Sequence, residues 1–237
     1  MQLAVFAYDD MMALDAVGPY EILSRLPGAE TIVVGEERGP VRCDTQRLTL
    51  VADATLDDVT TPDVLVVPGW SGSKQKNLLR PGPLQDWLGA VDRQTTWTTS
   101  VGTGAIILAA AGLLAGRRAT THWLSMDWLA ELGAVPTGER VAREGKYVTA
   151  AGVSAGIDMG LTLAATLADE HTAKALQLLL AYDPQPPFDC GAVNTAPAEI
   201  VTTMRALREF IVDGAPEARP APPRSPAASP APAPSAA

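Results

Sequence analysis

The stretch Val64-Leu65-Val66-Val67-Pro68-Gly69 decides the fold of this chain, because four consecutive apolar residues run straight into a Pro-Gly turn. A short apolar run without polar alternation is typical of a strand covered on both faces of a parallel sheet. Four further runs of this kind predict strands, at residues 3–7, 31–34, 48–51 and 97–101. Segments with helical spacing lie between and after them, at residues 16–26, 83–94, 105–114, 125–132, 155–167 and 172–182.

This alternation of strands and helices predicts an α/β fold, a doubly wound three-layer sandwich around a mostly parallel sheet. In such folds ligands bind at the carboxyl ends of the strands, so the loops after residues 7, 67 and 101 are the places to look for a site. The composition changes near residue 212. We therefore expect one folded domain over residues 1–212 and a disordered Pro- and Ala-rich tail over residues 213–237.

The charge balance and the cysteine count exclude several classes of protein. The 237 residues carry 18 Lys and Arg against 27 Asp and Glu, a formal charge of −9, which leaves no basic surface for nucleic acid. Two cysteines and two well-separated histidines are too few for a disulfide scaffold or a His-rich metal site. No apolar run reaches the roughly 18–20 residues that cross a bilayer. We expect no signal peptide, because the first residues include the acidic Asp9 and Asp10 and no basic n-region. We expect a soluble, cytoplasmic protein with no membrane partner.

Asp15 lies in the first of the three loops, just ahead of the predicted helix over residues 16–26. Its carboxylate has two interpretations that the sequence leaves open: it caps the free N–H groups of the helix, or it acts as a catalytic acid/base. The third loop, Gly102-Thr103-Gly104, turns a strand sharply into a helix and aims N–H groups at an anion or oxyanion. A dinucleotide loop is not favoured, because G-x-G-x-x-G would need glycine in place of Ile107.

The segment Gly152-Val153-Ser154-Ala155-Gly156 matches G-x-S-x-G, the pattern of a serine nucleophile. A hydrolase triad needs a later acid and then a histidine. His171 instead falls within a helical pattern and is expected on a solvated face. We therefore interpret Ser154 as the cap of the helix over residues 155–167.

Five other side chains are of types that react or bind ligands in proteins, but the sequence does not assign them such a role. His122 is either a structural histidine or a site residue, and Trp70 and Trp123 either line an apolar pocket or pack the core. Cys43 and Cys190 have no neighbouring base or helix start that would lower a thiol pKa. We expect neither cysteine to react.

Six ordered blocks together resemble the DJ-1/PfpI superfamily, and within it the isonitrile hydratase group. They are ALDAVGPYE (13–21), VVPGW (66–70), SVGTGA (100–105), TTHW (120–123), AGVSAGID (151–158) and YDPQPPF (182–188). The resemblance covers nearly all of residues 1–212. It implies a flavodoxin-like three-layer αβα sandwich, a cytoplasmic homodimer, no cofactor, and addition of water to an isonitrile to give an N-substituted formamide.

The resemblance also implies a cysteine nucleophile at the elbow, where this chain has Gly102. Glycine has no nucleophilic side chain, so a thioimidate intermediate cannot form at this position. By resemblance, Asp15 manages the proton, and backbone N–H groups near Gly69 and Thr103 stabilise the developing charge. The remaining residues expected to line the substrate pocket are Trp70, His122, Trp123 and Gly152.

Three interpretations of Gly102 stay open. The chain is an enzyme that uses Asp15 as general acid/base, without a thiol, for hydration, elimination or cyclisation of a small organic molecule. Alternatively, it is a nucleophile-knockout (Cys-to-Gly) form of an isonitrile hydratase. The third interpretation is a non-catalytic homodimer that binds a small molecule. The first leads because Asp15 and the blocks around it are intact.

Overall fold

The computed structural model describes residues 1–71 and 77–208, so the predicted tail over 213–237 lies outside the described residues. The strands of the described part, numbered in chain order, are β1 Gln2–Phe6, β2 Glu30–Gly35, β3 Gly39–Arg42, β4 Thr49–Ala52, β5 Ala54–Thr55, β6 Val64–Val67, β7 Trp97–Val101, β8 Arg118–Ala119, β9 Val135–Pro136, β10 Val141–Glu144 and β11 Tyr147–Ala150. Its helices are α1 Ala13–Leu23, α2 Pro83–Asp92, α3 Gly104–Ala110, α4 Met126–Glu131, α5 Ala155–Leu167, α6 Glu170–Leu179 and α7 Ala198–Ala206.

Within the described residues, seven strands form one sheet in the order β10-β11-β7-β6-β1-β2-β5. Its neighbours pair in parallel except for β10 and β11. On the helical layers, α1 packs against α5 and α5 against α6, while α3 packs against β6, β7 and α4. This is the mostly parallel α/β sandwich that the sequence predicts.

The middle of the sheet is the core. Every residue of β6 and β7 is buried, including the polar Thr98, Thr99 and Ser100. The Thr99 hydroxyl donates a 2.8 Å hydrogen bond to the Leu65 carbonyl, which removes one cost of burying a polar group there. β6, β7 and α5 have the bounds that the sequence predicts.

Several expectations need correction. The helix predicted over residues 105–114 ends at Ala110, four residues early. The strand predicted at residues 48–51 belongs to the antiparallel β3–β4 hairpin and not to the parallel sheet. The first helix begins at Ala13, three residues before its predicted start. The antiparallel β10–β11 hairpin at the sheet edge was not predicted.

Strand order fixes where a ligand can bind. The chain passes from β1 to β2 on one side and then returns to place β6 on the other side of β1. Such a reversal leaves a crevice at the carboxyl ends of the two central strands. The loops after β1, β6 and β7 meet there, as the Met11–Trp70 bridge between the first two loops illustrates.

Candidate active site

Asp15 lies in the first turn of α1 and does not cap the helix. The N-cap position is Met12, which has no polar side chain, so the sequence gives no cap signal for this start. The Asp15 Oδ2 atom instead accepts a 3.0 Å hydrogen bond from the Gly69 N–H. Of the two interpretations, the capping role is therefore wrong, and the carboxylate joins the first turn of α1 to the loop after β6.

The Asp15 carboxyl group is almost completely withdrawn from water. The residue is 2% exposed, and its Oδ1 atom is buried without a hydrogen-bond partner among the described residues. Burial raises the pKa of Asp15 to about 7; the Gly69 hydrogen bond opposes this rise, and the charge of Asp44 adds to it. Both protonation states of the carboxyl group are therefore populated near neutral pH.

Gly102 forms the elbow between β7 and α3, with a φ of +55° in the left-handed region. Its N–H donates to the Ala150 carbonyl at 3.0 Å, and its own carbonyl accepts a 2.8 Å hydrogen bond from the Thr121 hydroxyl. A Cβ atom added to Gly102 would lie 2.8 Å from Asp15 Oδ2. The carboxylate thus reaches into space that a side chain at the elbow would occupy.

The Thr103 hydroxyl connects the elbow to the Pro68-Gly69-Trp70 loop by hydrogen bonds. It accepts a 2.7 Å hydrogen bond from the Trp70 N–H and lies 3.1 Å from the Trp70 carbonyl. A Cβ atom on Gly69 would come within 2.5 Å of this hydroxyl, so the close approach requires glycine. The Gly69 N–H already serves Asp15, and its expected part in stabilising a developing charge stays a prediction.

These residues surround a cavity of about 50 Å³, lined by Met12, Asp15, Trp70, Ser71, Gly102, Thr103, His122 and Val153. A water molecule needs about 10–15 Å³ of such space, so a water and a small reacting group fit together. His122 and Val153 also line a neighbouring groove of about 760 Å³, whose walls include Trp123 and Gly152. Of the predicted pocket residues, Trp123 and Gly152 line this groove and not the small cavity.

A match to the DJ-1/PfpI family extends over residues 1–166 of the chain. The chain belongs to the DJ-1/PfpI family. It is 40% identical over 205 residues to the isonitrile hydratase of Pseudomonas putida, an alignment that covers 86% of this chain and 89% of the relative.

Solved structures of the DJ-1/PfpI family share the fold. A crystal structure of a ThiJ/PfpI family protein from Pseudomonas syringae is 38% identical, with a TM-score of 0.84 over 87% of this chain and 85% of that one. Oxidised Toxoplasma gondii DJ-1 is 25% identical, with a TM-score of 0.67 over 77% of this chain and 99% of that one.

His122 is the second titratable residue at the cavity of this DJ-1/PfpI chain. Its Nδ1 accepts a 3.4 Å hydrogen bond from the Leu124 N–H, and burial lowers the pKa of the imidazole. Burial therefore favours the neutral imidazole over the imidazolium. The other titratable residue that lines the cavity, Asp15, has its pKa raised into the neutral range.

The side chains to which the sequence analysis assigns no catalytic role do not line the small cavity. Ser154 immediately precedes α5 as predicted, but its hydroxyl makes no capping bond and accepts a 3.2 Å hydrogen bond from Arg140 Nη2. His171 is exposed on α6. The Cys43 thiol is buried, and burial together with Asp44 raises its pKa, which opposes thiolate formation.

Sequence reasoning missed four contributors to this DJ-1/PfpI site. Met12, Ser71 and Val153 line the cavity, and Thr121 holds the elbow carbonyl. Met12 and Val153 have apolar side chains that do not indicate a site in the sequence. Thr121 belongs to the TTHW block (120–123), but the sequence assigns it no role. Residues 1–71 and 77–208 contain no cluster of three or more His, Cys, Asp or Glu side chains that could bind a metal ion. In the same residues, each helix is too short or too polar to cross a bilayer.

Proposed function

We propose that this chain is a cofactor-free enzyme in which Asp15, without a thiol nucleophile, serves as general acid/base on a small organic molecule. The observation that carries the proposal is the Asp15 Oδ1 atom, which is buried without a partner among the described residues beside a cavity at Gly102. A carboxyl group with a pKa of about 7 supplies both a proton donor and a proton acceptor at neutral pH. Similarity to an isonitrile hydratase also supports a hydratase-like enzyme.

Among hydration, elimination and cyclisation, the site supports hydration best, because the cavity accommodates a water beside the carboxyl group. With an isonitrile, protonated Asp15 gives its proton to the terminal carbon. Water adds to the same carbon and returns one proton to the carboxylate, so that Asp15 is regenerated. The resulting formimidic acid tautomerises to an N-substituted formamide, and the nitrogen substituent extends into the groove beside Trp123.

A second candidate is a Cys-to-Gly form of an isonitrile hydratase, which the 40% identity to the Pseudomonas putida enzyme favours. In that form the conversion of isonitriles to formamides would need a thiol at position 102. A Cβ atom there would meet Asp15 Oδ2 at 2.8 Å, so the carboxylate would have to turn away. A non-catalytic small-molecule-binding homodimer is the third candidate.

We further propose that the chain acts as a homodimer. Tyr20 on α1 and Val51 on β4 are large apolar side chains that are 38% and 59% exposed. Together with Val17 and Leu50 they line an apolar depression of about 310 Å³. Exposed apolar surface of this kind favours association, and a second copy is the partner we propose.

The experiment measures formamide production from n-butyl isonitrile by mass spectrometry. The wild type and the thiol-free Cys43→Ala/Cys190→Ala variant are expected to be active. Asp15→Asn is expected to lose about 10²- to 10⁴-fold in rate, while Asp86→Asn, an exposed change on α2, retains activity. Full activity in Asp15→Asn would refute the acid/base role. Activity that arises only in Gly102→Cys would favour the second candidate, and retention of the isonitrile without product the third.

A further inference from the structure

We propose that Tyr8 is a positioning residue, which fixes and polarises the one peptide group that holds Asp15. The inference rests on the function proposed for Asp15. It concerns a side chain that lies outside the small cavity and takes no direct part in the reaction.

Three hydrogen-bonding groups follow one another in the structure. The Tyr8 hydroxyl donates to the Pro68 carbonyl at 2.9 Å, and the Gly69 N–H donates to Asp15 Oδ2 at 3.0 Å. The Pro68 carbonyl and the Gly69 N–H are the two ends of a single planar peptide unit. Tyr8 and Asp15 are therefore linked through that unit.

A hydrogen bond to a carbonyl draws electron density towards the oxygen and makes the N–H of the same peptide a stronger donor. Burial amplifies the effect, because Tyr8 is 7% exposed and Asp15 2% exposed. The Tyr8 ring is held against Phe6, with the ring centroids 5.1 Å apart. The hydroxyl thus stays aimed at Pro68 and keeps the Gly69 N–H directed at the carboxylate.

The phenol remains a donor throughout the working range of pH. Burial, and to a lesser extent the charge of Asp15, raise the pKa of Tyr8 well above its ordinary value. The other titratable groups that bear on Asp15 are Asp44, whose charge raises the pKa of Asp15, and the half-buried His122 across the cavity. Removing the Tyr8 hydroxyl leaves both in place, so a change in the titration of Asp15 reports the loss of that hydroxyl and not a change at Asp44 or His122.

The test follows the side-chain carboxyl carbon of Asp15 by carbon-13 NMR against pH, using the resonance that Asp15→Asn lacks. Tyr8→Phe is expected to lower the acid dissociation constant of Asp15 about twofold, because the Gly69 N–H becomes a weaker donor to the anion. The matched control is Tyr147→Phe, which deletes a buried hydroxyl that donates to Asp92 at 2.9 Å. It is expected to leave the titration of Asp15 unchanged.

An unchanged or increased dissociation constant in Tyr8→Phe would overturn the inference. If that variant does not fold, 3-fluorotyrosine at position 8 supplies a stronger donor of nearly the same size. The dissociation constant of Asp15 is then expected to rise, and no rise would also overturn the inference. Since the readout needs no substrate, it separates the two proposals: a chain without turnover in which both Tyr8 changes move Asp15 refutes only the proposed function.

Discussion

At the scale of the residue, Asp15 is buried, and its Oδ1 atom has no hydrogen-bond partner among the described residues. An exposed aspartate loses its proton near pH 4, but in the folded chain the pKa of Asp15 is raised to about 7. Between these values the unfolded chain releases a proton that the folded chain retains, so folding becomes less favourable as pH rises through this window. A carboxyl group suited to acid/base chemistry therefore weakens the fold at neutral pH.

Asp15→Asn is expected to remove this pH dependence. Asparagine keeps an acceptor for the Gly69 N–H and cannot ionise. From pH 5 to pH 8 the free energy of unfolding of the wild type is expected to fall relative to the variant by about 2–3 kcal/mol. Urea denaturation at both pH values measures it, with the exposed Asp86→Asn as control. If the free energy of unfolding changed equally with pH in Asp15→Asn and in the wild type, a buried ionisable carboxyl group at this position would be ruled out.

Gly102→Ala tests the contact between the elbow and the carboxylate. An alanine at a φ of +55° costs about 1–2 kcal/mol, and its Cβ would also lie 2.8 Å from Asp15 Oδ2. Gly112 is the matched control, since it has a φ of +76° and its Cβ would meet nothing within 4 Å. Gly102→Ala should destabilise the chain by about 1 kcal/mol more than Gly112→Ala in chemical denaturation. Equal losses would mean that Asp15 does not occupy the elbow.

At the scale of the elements, a polar cluster joins α2, β7 and β11 away from the site. Asp92 accepts hydrogen bonds from the Thr98 hydroxyl at 2.7 Å and the Tyr147 hydroxyl at 2.9 Å, and Lys146 lies 3.2 Å from its carboxylate. Because Asp92 is 7% exposed, its loss would leave the Tyr147 hydroxyl without this acceptor, whereas the Thr98 hydroxyl keeps the Thr95 hydroxyl at 2.7 Å.

We expect Asp92→Ala to lower the free energy of unfolding by about 3 kcal/mol, since the Tyr147 hydroxyl loses its acceptor and Lys146 loses its charge partner. Asp86→Ala, an exposed change on the same helix, should cost less than about 1 kcal/mol. Thermal denaturation of the two variants measures the difference. A loss in Asp92→Ala no larger than in the control would show that the cluster is not structural.

The sequence predicts some elements much better than others, for physical reasons. β6 and β7 were found with their bounds because burial on both faces leaves a continuous run of apolar or small residues. The β10–β11 hairpin was missed because Arg143, Glu144 and Lys146 give it the polar composition of a loop. The apolar run at residues 48–51 also predicts a strand, but a local sequence pattern does not specify that this strand pairs with β3.

At the scale of the whole molecule, topology assembles the site. Asp15 lies in the first turn of α1, and Gly69 and Gly102 lie where β6 and β7 end, far apart in sequence. The order of β1, β6 and β7 in the sheet brings the three residues together. The rule that ligands bind at carboxyl strand ends predicts this meeting from sequence. The Asp15 Oδ1 atom, which has no partner within residues 1–71 and 77–208, and the division between a small cavity and a larger groove depend on packing at the scale of single ångströms. No sequence pattern encodes such packing.

The proposed association of two copies concerns the whole molecule. We expect a sedimenting species of about 50 kDa, twice the 24.8 kDa of one chain. A lysine in place of Val51 should shift the population towards the monomer, because it places a charge in the exposed apolar depression. Val135→Lys is the control, at a 49% exposed valine of β9 that does not line this depression. A monomeric wild type would refute the proposed dimer.

The proposed chemistry depends on a carboxyl group that holds its proton at neutral pH inside the folded molecule. Carbon-13 titration of Asp15 in the full chain measures this directly and requires no substrate. The midpoint is expected near pH 7, because burial raises the pKa of Asp15 to about 7. A midpoint near pH 4, the ordinary value for an aspartate in water, would mean that Asp15 is fully ionised at neutral pH and cannot donate the proton that hydration needs.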